Sequence, residues 1–315
     1  MRQWAGVNGR EPITRIRAVL VGIDEYERQD IPSLRGCVND VALVRMLLKQ
    51  YFAVPNERIR VVVNQRATRA NIVRRLEDMI ERSEPGEVLV FYYSGHGSQV
   101  RDRDGDELSD ALDEVICPYD MDWDGNFLSD DDFDRMVEAL PSDVLLEAFF
   151  DCCFWGAGPR GIGPEGETLR PDVRYLPPPF DIAARVEGDE DQLGVHRLRE
   201  TPSMIDRHVA WGASLEGQEA AEDYIDGQAH GVFTYWGCRF IAENIERVDR
   251  DSYTREQLLD DVRAYLHTLG YVQTPELSAP SDLREGTPLL PTPQWGAWVE
   301  VGGNSQDRPR GGGGR

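Results

Sequence analysis

Two segments of the chain hold residue types that could do covalent chemistry. VLVFYYSGHGSQ is an apolar run that ends abruptly in Ser94, Gly95, His96, Gly97 and Ser98. LLEAFFDCCFWGAG is a second apolar run, ending in Asp151, the adjacent Cys152 and Cys153, and Gly156; Cys153 follows His96 by 57 residues. An imidazole can take and return a proton near neutral pH, and a thiol that loses its proton becomes a strong nucleophile. Glycines on both sides of His96 leave room for a substrate backbone to approach it. Each segment alone has a plainer explanation: a histidine in a tight surface turn, and two cysteines acting as small buried hydrophobes. Their chemistry requires that something bring them together.

The pattern around them predicts how. Runs rich in β-branched and aromatic residues recur at 16–22, 58–63, 87–93, 114–117 and 144–150, with the look of buried strands. Between them apolar residues fall at helical spacing: Val41, Val44, Met46, Leu47 and Leu48; Ile72, Leu76, Met79 and Ile80; Phe133, Met136, Val137 and Leu140. Alternation of strand and helix predicts an α/β fold with a mostly parallel sheet. Parallel neighbours would deliver the ends of both apolar runs to one sheet edge, where open α/β folds place their sites, and His96 could there activate a cysteine.

From 157 to 203 the pattern gives way to Gly, Pro and acidic residues (GPRGIGPEGE, RYLPPPF, VEGDEDQ), too long for an ordinary connection. This predicts a mobile or processed linker. Order returns at 204–302 with HVAWGAS, helical stretches near 232–245 and 254–269, and a last strand near 295–301. The expected organisation is an extension at 1–13, a first part at 14–156, the linker, a second part completing the same domain, and a low-complexity tail at 303–315.

With 315 residues and 40% hydrophobic content, the chain can bury one substantial core. Its net charge of -23 opposes binding to nucleic acid and to anionic membranes and favours cationic partners, metal ions included. Only Lys49 is a lysine, so a site that attracts cationic side chains would meet almost only arginine in this chain. Five cysteines, two of them adjacent, make a poor disulfide framework. Residues 1–13 have no apolar signal core, and no apolar run reaches membrane-spanning length. A soluble cytoplasmic protein is the expectation.

The chain resembles the caspases, and within them the metacaspases, with the bacterial type as the expected branch. YSGHG at Tyr93–Gly97 is similar to their histidine motif, and DCCFWG to their DCCHSG nucleophile motif. The likeness continues in RAVLVGIDEY, LRGCVNDV, DEVICPYD, WGASLEGQEAAED, HGVFTYW and QTPELSAPSDLREGTPLL. It implies a caspase-like three-layer α/β/α sandwich and cleavage of protein or peptide substrates after arginine or lysine, by a protein acting as a monomer without an organic cofactor. Cys153 would be the nucleophile, His96 the acid and base, and the backbone amides of Gly97 and Cys153 the oxyanion hole. Cys37, Asp40, Ser94 and Asp151 would line a pocket whose two carboxylates suit a guanidinium. Without the resemblance, Asp40 and Asp151 read as a helix cap and a strand end. Self-cleavage in the linker has Arg160, Arg170, Arg174 and Arg185 as candidate sites.

The resemblance also implies activating Ca2+, held by Asp113, Asp130 and Asp131. Independently, Asp120, Asp122, Asp124, Gly125 and Asp131 have the spacing of an EF-hand loop, although a strand rather than a helix leads into them; a solvated acidic loop is the alternative. Phe154 and Trp155 stand where the family has His-Ser. The second reading of the whole chain, supported by this change, is a catalytically impaired relative that keeps the fold and binds a partner through Trp155 and the linker.

Overall fold

The computed structural model describes residues 15–101, 112–154, 172–179, 182, 208–215 and 218–289. The first part runs β1 (Ile16–Gly22), α1 (Cys37–Gln50), β2 (Ile59–Val63), α2 (Arg69–Glu81), β3 (Val88–Ser94), β4 (Gly97–Arg101), β5 (Leu112–Ile116), β6 (Leu128–Ser129), α3 (Asp130–Val137) and β7 (Leu145–Asp151). After it come β8 (Asp172–Val173), β9 (His208–Gly212), β10 (Ala221–Ile225), β11 (Gln228–Gly231), α4 (Val232–Glu243), α5 (Ile245–Asp249), α6 (Arg255–Thr268) and β12 (Glu276–Ser278).

Six strands form the central sheet in the order β12-β9-β7-β3-β1-β2. Every neighbouring pair is parallel except β12 with β9. Successive side chains of a strand face opposite sides, so each central strand feeds two cores. Ala18, Leu20, Val88, Val90 and Tyr92 pack with α1, α4 and α6. Val19, Val21, Leu89, Phe91 and Tyr93 pack with α2 and α3. The expected α/β/α sandwich with a mostly parallel sheet is what these layers make.

Two smaller antiparallel sheets sit at the sheet's C-terminal edge: β4-β5-β6 and β11-β10-β8. The first contains a strand that sequence pattern does not predict, since β4 occupies the polar, glycine-containing GSQVR. The second is built on a hairpin whose Asp226 and Gly227 both take positive φ, 53 and 88, as a two-residue type I′ turn requires. The second part joins the first through β9 and through buried Glu147. Its carboxylate accepts from Arg255 Nη2 (2.9 Å) and Nε (3.1 Å), Trp211 Nε1 (3.0 Å) and Leu289 N (2.9 Å).

Part of the stretch expected to be a mobile linker is ordered against the domain: 172–179 forms β8 and continues past the sheet edge. The expected strand at 295–301 lies outside the described residues, as do Trp155, Arg160, Arg170 and Arg185. No helix among the described residues is long and apolar enough to cross a membrane.

Candidate active site

Parallel pairing sets Ser94 of β3 opposite Asp151 of β7, and His96 and Cys153 each stand two residues beyond that pair. The two chain exits lie against each other: a Cβ on Gly97 would come within 2.4 Å of the Cys153 carbonyl oxygen, so only glycine fits there. Cys152 and Cys153 take opposite faces, Cys152 entering the core beneath α2 and α3 and Cys153 the other. Burial raises the Cys152 thiol well above its ordinary range, which leaves it inert.

His96 is 1% exposed and is held through Nε2, its backbone N–H and its carbonyl. Its Nε2 pairs with the Pro32 carbonyl at 2.8 Å. Its backbone N–H donates to Tyr26 Oη at 2.8 Å, and the two rings lie 5.2 Å apart. Tyr93 Oη donates to the His96 carbonyl at 2.6 Å. Burial lowers the imidazole to about 4, against the Pro32 carbonyl, which favours the charged form. Nδ1 is buried without a hydrogen-bond partner. Cys153 is fully buried, and burial pushes its thiol up to about 12, although the Ala220 N–H points at Sγ from 2.6 Å and favours the thiolate. At neutral pH both side chains are therefore uncharged.

The site is filled by the chain itself. The carbonyl oxygen of Arg174 accepts from Gly97 N at 3.0 Å and from Cys153 N at 3.2 Å, the two amides expected to form the oxyanion hole. Its N–H donates to the Ala220 carbonyl, Asp172 and Val173 pair with Glu222 and Ala221, and the Leu176 N–H donates to the Gly97 carbonyl at 2.9 Å. The segment is bound as an added strand.

The Arg174 side chain, fully buried, runs into an acidic pocket. Nη2 reaches Asp40 Oδ2 at 2.8 Å and Glu222 Oε2 at 3.3 Å. Nη1 donates to Ser94 Oγ at 2.9 Å and lies 3.0 Å from Asp151 Oδ1, an ion pair without hydrogen-bond alignment. Asp40 is anchored by Ser94 Oγ, by the Gly231 N–H and by His230 Nδ1 at 2.9 Å. Asp151 accepts from Thr234 N in the first turn of α4, where the helix dipole favours an anion, and from Thr234 Oγ1. Tyr92 Oη meets Thr234 Oγ1 at 2.7 Å and completes the relay. Burial raises the carboxyls of Asp151 and Glu222, and the Arg174 charge pulls both back.

Of the expected pocket residues, Asp40, Ser94 and Asp151 touch the guanidinium; Cys37 is buried at the start of α1 beside them, its thiol raised by burial and pulled down by Arg174. Sequence reasoning missed Glu222, His230, Gly231 and Thr234. Their segments, EAAED and HGVFTYW, were among the motifs of the resemblance, but nothing in their spacing told which side chains face the pocket.

The acidic corner divides. Asp120 Oδ1 caps α2 at Arg69 N (2.8 Å), and Asp122 Oδ1 accepts from Asp124 N and Asn126 N. Each of these two carboxylates gives one oxygen to the backbone, and β5 leads into the loop with β6 inside it, so the helix-loop-helix frame of an EF-hand is not formed. Asp113 lies on β5 and Asp130 and Asp131 open α3, elements linked by the pairing of β5 with β6 at Val115↔Ser129, but the donor atoms of the three are not gathered within 4.8 Å of one another. Their oxygen donors suit a hard cation. Among the described residues, the metal-ligand types whose donor atoms lie within 4.8 Å of one another are instead Asp24, Cys37 and Glu222. Two of these are already engaged, Asp24 by the N–H groups of Cys37 and Val38, and Glu222 by those of Arg35 and Gly36.

Phe154 packs edge-on against Phe150 at 6.3 Å and joins the core beneath α2 and α3, leaving Cys153 and both amides undisturbed.

The model of the metacaspase family, peptidase C14 domain, matches residues 16–158. A metacaspase-1 of Pyricularia oryzae is 30% identical over 291 residues, 83% of this chain and 71% of its own. A metacaspase-1 of Emericella nidulans is 29% identical over 294 residues, 84% of this chain and 70% of its own. A solved Geobacter sulfurreducens protein superposes with a TM-score of 0.59 at 18% identity, covering 88% of this chain and 99% of that one, a likeness of fold.

Proposed function

Because the chain belongs to the metacaspase family of caspase-like cysteine peptidases, we propose that it is an endopeptidase cutting after arginine, and less readily after lysine, with Cys153 as nucleophile and His96 as acid and base. One observation carries this reading: Arg174 occupies the site as a substrate would, with its guanidinium among Asp40, Asp151 and Glu222 and its carbonyl on the amides of Gly97 and Cys153.

In the reaction the Cys153 thiol gives its proton to His96, and Sγ attacks the carbonyl carbon of the residue in the acidic pocket. The carbonyl electrons move onto oxygen, held by the two N–H groups. Collapse breaks the C–N bond as His96 passes its proton to the departing amine. Water then attacks the thioester, His96 takes one of its protons, and collapse releases the new carboxyl while the proton returns to sulfur.

The chain in this structure is an intact precursor on that reading, and its scissile bond is Arg174–Tyr175. An uncharged Cys153 and His96 sealed under their own segment make a slow, restrained state. Asp113, Asp130 and Asp131 would hold a calcium ion, which supplies charge compensation at that corner. The corner bears on the site because β5 pairs Asp113 with Val100 on the strand that starts at Gly97. The enzyme acts as a monomer on protein or peptide substrates.

The reading of an impaired relative rests on Phe154 and Trp155. Phe154 is accounted for by packing, so the peptidase reading is preferred. Hydrolysis of an arginyl coumarin reporter by the full chain and by Cys153→Ala separates them: turnover by the first alone supports the peptidase, and turnover by neither after exposure to calcium rejects it.

A further inference from the structure

We propose that the site includes a second specificity pocket, beyond the cut, that selects a large aliphatic side chain at the second residue after the cleaved bond. The inference rests on the peptidase reading above and names a part of the substrate that the reading leaves open.

Its basis is Leu176. Two residues past Arg174, its side chain is 5% exposed, in a cluster with Ile31, Val100, Val115, Met121 and Phe127. In extended chain alternate residues face the same side. Arg174 and Leu176 are such a pair, spaced along the segment, and their contacts place them in two pockets, one acidic and one apolar, while Tyr175 between them packs on the main core.

Two features make this a subsite and not merely the place where a linker rests. First, its walls come from β4, β5 and the loops at Ile31 and 121–127, all of which precede Cys153 in the chain; they remain when 175 onward departs. Second, the main-chain bonds that set the register are ones any peptide can make. Gly97 donates to the Arg174 carbonyl and accepts from the Leu176 N–H at 2.9 Å, and Ser98 Oγ donates to the Leu176 carbonyl at 2.6 Å. A substrate held by the same glycine therefore has its second residue after the cut delivered to the same apolar walls. An aliphatic side chain leaves water there, whereas a carboxylate would be stripped of water beside a closed apolar surface.

The test is a series of internally quenched peptides with one arginine, tyrosine after it, and Leu, Ala, Ser or Asp at the next position. They are cut by the self-processed full chain beside an arginyl coumarin reporter that has no residues in this pocket. The expected order of kcat/KM is Leu, then Ala and Ser, then Asp, with about 10- to 100-fold between the ends. In Met121→Ala and Phe127→Ala the Leu-to-Asp ratio falls, a readout that does not depend on the fraction of folded enzyme. Equal rates along the wild-type series while the reporter is hydrolysed would overturn the subsite alone. Hydrolysis of neither reporter nor peptides would overturn the peptidase reading, and the subsite with it.

Discussion

The N–H of Gly97 donates to the carbonyl oxygen of Arg174 across 3.0 Å, joining the residue after the candidate base to the residue in the acidic pocket. That bond, with its partner from Cys153, puts a segment of the chain where a substrate carbonyl would be polarised. Its consequences can be measured.

If the segment is a substrate held in place, the full chain cuts itself between Arg174 and Tyr175. Mass spectrometry of the products should find a new N-terminus at Tyr175. Cys153→Ala should remain one intact chain, and Arg174→Gln should lose this cut, because a neutral amide cannot pair with three carboxylates. A cut elsewhere in the linker with 174–175 intact would contradict the assignment.

The same burial that holds the segment keeps Cys153 unreactive. With its thiol pushed up to about 12, alkylation by iodoacetamide at neutral pH should be slow in the intact precursor. Arg174→Gln loosens the segment and should speed modification of Cys153 by at least about tenfold, some 1.4 kcal/mol in the opening equilibrium. Equal rates in both proteins would show that Arg174 does not guard the thiol.

Charge in the pocket should set the order arginine, lysine, and no measurable cleavage after aspartate. Asp40→Asn, Asp151→Asn and Glu222→Gln should each lower kcat/KM for an arginyl reporter by about 30- to 5000-fold, the range for breaking one member of a buried charge pair. The Arg-to-Lys ratio should shrink in each variant, because the three carboxylates divide between the two guanidinium nitrogens of Arg174, a spread that the single ammonium of lysine does not match. Cleavage after aspartate by the wild type would remove these residues from the pocket.

His96 should leave a mark on stability as well as on activity. Its folded value of about 4 lies below the ordinary 6.5, so between those values the unfolded chain binds more protons than the folded one. Stability should therefore rise with pH through that window, by a contribution on the order of 3 kcal/mol. Urea unfolding of Cys153→Ala, which cannot cut itself, should show this rise from pH 4 to 7. The double variant with His96→Gln should show less of it, and superimposable pH profiles would mean the imidazole is not held neutral.

Calcium at millimolar concentration should speed both self-cleavage and reporter hydrolysis, and chelator should reverse the effect. Alanine at Asp113, Asp130 and Asp131 together should abolish the response while the protein retains its thermal transition. Activity indifferent to chelator and to these substitutions would leave the corner a solvated acidic surface.

Much of this was legible in the residues. The apolar runs ending at Ser94 and Asp151 announced parallel strands, and His96 and Cys153 fell at one edge because parallel register aligns strand ends. Asp40 and Ser94 were readable only through the resemblance, since isolated acids and hydroxyls cap helices and end strands everywhere. Glu222, Gly231 and Thr234 escaped because they reach the pocket from beyond the linker, by a tertiary contact no local period encodes. The Asp226-Gly227 pair between β10 and β11 carries a local hairpin signal, because both residues accept positive φ. The stretch at 172–179 read as mobile because Gly, Pro and charge predict no regular element; it is ordered by pairing with β10 and by one guanidinium among three carboxylates, interactions invisible to composition.

The central claim is that Cys153 attacks the carbonyl of an arginine held by Asp40, Asp151 and Glu222. Its most direct test is an arginyl acyloxymethyl ketone applied to the self-processed chain, with the modified residue located by peptide mass mapping. The account predicts one adduct per chain, on Cys153 Sγ, strongly reduced in Asp151→Asn and absent in Cys153→Ala. An adduct on Cys152 or another side chain, or none on a chain that has already cut itself, would contradict it.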